Sequence, residues 1–137
     1  MEKVFTIHEA TRALALVSPI VSDILRKMKM AQNLHKEVQV GKNKAGVSEA
    51  EMLGKLELAE KFLNEIEYHM KELADVGVAL KDMQFGTVDF PCMHNGQPVY
   101  LCWRPGESAT VFWHEKDECF LDRRPVDKSF LTETARA

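Results

Sequence analysis

The chain has 137 residues, a length that suits one domain burying somewhat over ~65% of its unfolded surface, core enough to fold without staples. Its 45% hydrophobic and 28% charged content is that of an ordinary soluble protein, and a formal charge of −3 gives no electrostatic footprint for nucleic acid. The opening MEKVFTIHEATRALALV has neither the basic run nor the continuous apolar stretch of a signal peptide or membrane span, so a cytoplasmic location without membrane attachment is expected.

Thr6-Ile7-His8-Glu9 fits a capping box, with the Thr6 hydroxyl serving the amide of Glu9 and Glu9 reaching back to Thr6. From it Ile7, Ala10, Leu14, Val17, Val21, Ile24, Met28, Ala31 and Val38 run at three-four spacing, which predicts a helix over about 7–40. His35 interrupts that seam and, like a polar residue at one core position, should set register or partner choice. Pro19 removes one backbone donor, so a bend about one turn earlier is expected rather than a break. The polar, glycine-bounded stretch from Gly41 to Gly46 ends the helix. Ser48-Glu49-Ala50-Glu51 reads as a second capping box, and Met52, Leu56, Ala59, Leu63, Ile66, Met70 and Leu73 predict a second helix over about 49–76 that Gly77 caps.

These helices should form a long antiparallel, coiled-coil-like hairpin of roughly 50 Å and 40 Å arms. Such arms outreach a compact domain, and a small sheet covers only part of their apolar stripes. A homodimer through the hairpin is therefore expected, with a protein partner as a further possibility.

After a linker, 78–83, the period changes to two. Thr87 to Met93 and Gln97 to Trp103 flank Asn95-Gly96, the strongest short hairpin signal. In that register Val88 faces Trp103, Phe90 faces Leu101 and Cys92 faces Val99, a wholly apolar face that belongs on the helices. Asp89, Pro91, Tyr100, Cys102 and Arg104 take the other face. Arg104-Pro105-Gly106-Glu107 turns the chain, and Ala109 to His114 reads as a third strand. An odd-length connection sends Trp113 to the apolar face and keeps His114 out of the core. The class is thus α+β, a two-helix hairpin followed by a three-stranded antiparallel meander over about 87–114. An arm, 115–126, completes a single domain, and 127–137 should be a fraying tail.

The segments GTVDFP, VYLCWRPGE and VFWHEKDECFLDRRP, with FTIHEA and GVALKD before them, resemble a prokaryotic family catalogued only as domain of unknown function number twenty-two-oh-three. The resemblance runs from about Phe5 to Val126. It implies no activity, because the family has none established. The chain departs from the family pattern at Cys119 and Asp122, where glycines commonly stand.

Candidate chemistry concentrates between Asp89 and Pro125. His114 and Asp117 have the spacing of two metal ligands on one turn, but the plainer reading is a hydrogen-bonded turn, since Asp89 is expected about 20 Å from His114 and His94 on the opposite face. Arg104, Arg123 and Arg124, with Trp103 and Trp113 to stack on, could hold a phosphate or carboxylate. With Asp89, Glu107, Asp117 and Asp122 nearby, internal ion pairs are the preferred account. Cys92, Cys102 and Cys119 have no C-x-x-C spacing and read as free, buried thiols. Cys102, opposite Asp89, should have a raised pKa, wrong for a nucleophile. No metal and no cofactor is expected. The leading expectation is a small dimeric interaction or binding module. The alternative is an enzyme or binder acting on an anionic compound, with metal assistance, through Arg104, His114, Asp117, Arg123 and Arg124.

Overall fold

The computed structural model describes residues 3–130. Helix α1 spans Ile7–Gly41 and helix α2 Glu49–Val76. The Thr6 box closes in both directions, at 3.1 Å into the hydroxyl and 2.9 Å from the Thr6 amide to Glu9, so two orphan donors of the first turn are satisfied. Ser48 accepts from the Glu51 amide at 3.1 Å, and Gly77 ends α2 in the left-handed region at φ 100°. Helix α1 continues through Pro19.

Among the described residues five antiparallel strands follow in chain order: β1 (Ala79–Leu80), β2 (Val88–His94), β3 (Gln97–Trp103), β4 (Phe112–Glu115) and β5 (Arg124–Pro125). Two strands thus exceed the three-stranded expectation. They lie in the segments read as linker and arm, and at two residues each they carry too little pattern to be seen in sequence. Asn95 and Gly96 adopt φ 52° and 77°, which fixes the β2–β3 register with Val88 on Trp103, Phe90 on Leu101 and Cys92 on Val99. The β3–β4 connection has the odd parity expected, with Trp113 opposite Leu101. The strand itself begins at Phe112 rather than Ala109. Thr110 instead donates its side chain to α1: the Thr110 and Thr11 hydroxyls meet at 2.9 Å.

Val17, Val21 and Ile24 of α1, Leu73 of α2, and Val88, Phe90, Leu101 and Trp103 of the sheet build one core between helices and sheet. Gly86 lies against it at φ 76°, where an added Cβ would sit 2.7 Å from Val21. Phe130 is buried and stacks on His94 at 4.0 Å, so the fraying expected from Asp127 does not hold there. The rest of that tail, 131–137, lies outside the described residues. No helix among the described residues is long and apolar enough to cross a membrane.

Candidate functional site

The sheet face turned away from the helices carries Asp89 on β2, Tyr100 and Cys102 on β3, and Phe112 and His114 on β4, because side chains alternate across a strand. Asp89 pairs with Cys102 and His114 with Tyr100. Asp89 and His114 therefore flank β3 only two residues apart along it, about 7 Å, and both lean over the small Cys102 side chain. His114 Nε2 lies 3.1 Å from each Asp89 carboxylate oxygen. The expected separation of about 20 Å is wrong, because it set the two residues at opposite ends of the sheet. His114 is outside the apolar core as expected. It is nonetheless only 3% exposed, as is Asp89, while Cys102 is fully buried.

Hydrogen-bond chemistry fixes the protons of this group. The Glu115 carbonyl, 2.8 Å from His114 Nδ1, can only accept, so Nδ1 carries a hydrogen. Nε2 then shares one further proton with the Asp89 carboxylate. Both ring nitrogens are engaged, which leaves none to serve a nucleophile as base. Burial, and then the Asp89 carboxylate, push the Cys102 thiol up to about 12 against the opposing pull of Arg123. It is a neutral thiol at physiological pH and no nucleophile, in line with the sequence reading.

The arm after β4 folds back over this face. Its 3-10 turn, Phe120–Asp122, places the Phe120 ring between two guanidiniums, with Arg104 3.4 Å and Arg123 4.0 Å from its centroid. Arg104 also covers Phe85 at 4.4 Å, and Arg123 covers Phe112 at 4.2 Å, so these cation–π contacts link the β1–β2 connection, β4 and the arm. Their polar edges are tied down. Arg104 Nε donates to the Thr87 hydroxyl at 2.7 Å, and Arg123 grips both oxygens of Glu107 in a bidentate fork. Arg124 pairs with Glu118 and covers Trp113 at 4.5 Å. Burial alone would raise the Glu107 carboxyl, but Arg123, the Arg104 amide and both guanidinium charges hold it below the usual range.

The arm thus joins the Arg104 and His114 groups, with Glu107 and Glu118 supplying the counter-charges. Asp117 is exposed and takes no part in holding His114; the turn closes instead through Glu115 and Glu118. Trp103 is buried and donates from its indole nitrogen to the Glu107 carbonyl at 2.8 Å. His94 lies on the opposite face as expected, against Trp113 and Phe130. None of the three cysteines is in a disulfide; Cys92 and Cys102 are buried as expected, whereas Cys119 is exposed.

Beside the Asp89–His114 pair a cleft of about 260 Å³ opens to solvent, lined also by Lys81, Asp82, Tyr100 and Phe120. The sequence reading missed this wall. One signal was legible: Asp82 followed by Gly86 and Thr87 is turn chemistry, and its carboxylate accepts from the amides of Gln84, Phe85 and Gly86 at 3.1, 2.5 and 3.2 Å. Asp89, Cys102 and His114 each aim one ligand atom into a space where all three lie within 4.8 Å.

Residues 3–126 match the family model described as "Uncharacterized conserved protein (DUF2203)". Neither the curated proteins nor the solved structures contain a match.

Proposed function

Since the chain belongs to DUF2203, a family of uncharacterized conserved proteins, we propose that it is a small cytoplasmic binding module that pairs with a second copy of itself through the helical hairpin. The observation that supports this is the hairpin's overreach. At about 1.5 Å per residue α1 is roughly 50 Å long, while the seven-residue strands β2 and β3 span only about 23 Å. Buried residues in α1 are dense from Ala10 to Ile24 and sparse beyond, with only Ala31, Val38 and Gly41. Leu53, Leu56 and Leu63, spread over three turns of α2, remain 57%, 39% and 39% exposed.

A second copy is the occupant that fits this strip. Each hairpin offers the same exposed leucines, Leu53, Leu56 and, one heptad after Leu56, Leu63, so two copies related by a two-fold axis can lay these strips against each other. Glu57, Glu60 and Lys61, interleaved with the leucines, give both signs of charge to pair across the axis. The reading through the arginines is supported less, since every guanidinium of the site faces a carboxylate, hydroxyl or ring of the same chain.

Light scattering coupled to size exclusion tests the proposal. We expect the mass of two chains at micromolar concentration, falling to one chain for the double variant Leu53→Glu, Leu56→Glu with helicity unchanged by circular dichroism. A one-chain mass for the unaltered protein rejects it.

A further inference from the structure

The sheet packs on the helices through its apolar face. Its other face buries an imidazole, a carboxylate and a thiol in contact, groups that are costly to desolvate unless something draws them together. We propose that Asp89, Cys102 and His114 bind one borderline-soft divalent cation of the zinc class, with a fourth coordination position facing the cleft.

The donor set is one nitrogen, one oxygen and one sulfur, all within 4.8 Å of one another. The 3.1 Å between His114 Nε2 and Asp89 is close to the edge of a tetrahedron with bonds of about 2.0–2.1 Å, roughly 3.4 Å. The Cys102 sulfur lies within 4.8 Å of both. The remaining ring nitrogen is already spoken for: Nδ1 donates to the Glu115 carbonyl at 2.8 Å, the outer contact that orients a metal-bound imidazole. A carboxylate and a thiolate supply two negative charges for a dication, and the nearest guanidinium, Arg123, is neutralised by Glu107. Sulfur and imidazole together disfavour magnesium and calcium. Asp89 and His114 line the cleft, which gives the ion its way in and leaves room for water or a small ligand at the fourth position.

The exchange balances. The cation displaces the proton shared by His114 and Asp89 and the proton of the Cys102 thiol, releasing two protons per ion bound, with no redox change. The site needs only one chain, so the mass of the assembly neither supports nor weakens it.

Cobalt(II) is the probe. Full-length protein, stripped with chelator and kept under a thiol-free reductant, is titrated with cobalt and then with zinc. We expect one cobalt per chain, the near-ultraviolet thiolate-to-cobalt charge-transfer band, the strong visible bands of a tetrahedral site, and displacement of all of them by zinc. Cys102→Ser should abolish the charge-transfer band, Cys119→Ser should keep it, and His114→Gln should weaken binding about tenfold or more. Absence of the band in the unaltered protein, or its survival in Cys102→Ser, overturns the proposal. Should Cys102→Ser fail to fold, thermal unfolding of the unaltered protein decides: a higher Tm with zinc that chelator reverses supports the site, and an unchanged Tm overturns it.

Discussion

Gly86 is where a single atom would do the most harm. Its φ of 76° lies in the region L side chains avoid, and an added Cβ would stand 2.7 Å from Val21 and 2.9 Å from Leu25. Val21 is fully buried and cannot step aside. Gly86→Ala should therefore cost about 2–4 kcal/mol, from backbone strain and overpacking together. Gly54→Ala, with open space around it, should be neutral or stabilising. Urea unfolding of the two variants measures the contrast. Residues of this kind divide in how well sequence reveals them. Asn95-Gly96 announced its positive φ because only a few residue pairs tolerate that turn. Gly86 and the Asp89–His114 contact did not, since both depend on which distant residue lies alongside. The pair is brought together across β3 by a connection, 104–111, whose length sets parity but hides where pairing resumes.

Among the elements, the arm shows how a segment without apolar periodicity is fastened. It has a two-residue strand and one 3-10 turn, too little backbone pairing to hold it. The stack through Phe120 and the Glu107–Arg123 fork replace that pairing. Phe120→Ala should release the arm at a cost of about 1–3 kcal/mol, read as increased solvent exposure of the Trp113 that Arg124 covers. Acid should act on the same joint. The Glu107 carboxyl titrates below its ordinary value in the folded protein, so its contribution is complete above the unfolded value of about 4.3 and is lost as pH falls through the lowered one. Stability should decline below about pH 4, and Glu107→Gln should flatten that part of the curve. The sequence did indicate that these arginines hold the arm by internal ion pairs. It could not say which carboxylates serve, because Asp117 and Asp122 are as near in chain order as Glu107 and Glu118, and only the fold-back selects among them.

For the molecule as a whole, the helices and the central hairpin were legible because each repeats its period over many residues. What the repeat does not contain is where the sheet stops along the hairpin. Core residues of both helices cluster near the sheet, and beyond Ile24 the buried residues of α1 thin to Ala31, Val38 and Gly41. Local opening should therefore be easiest there. In hydrogen exchange, amides of 28–41 and 49–63 should exchange faster than those of 10–24 in dilute protein. Under the proposed pairing their protection should rise with concentration, while that of 10–24 stays fixed.

The two short outer strands carry a consequence for how copies can meet. A sheet whose edges were long would present rows of unpaired amides and carbonyls, a template for stacking chain upon chain without end. Here each outermost strand is two residues long, one of them ends in Pro125, which has no amide hydrogen to offer, and the stretch of β2 beyond β1 carries Pro91, whose carbonyl is taken by the Phe5 amide. Stacking of chain upon chain at the sheet edges is thereby disfavoured, which leaves the hairpin as the surface for the proposed pairing.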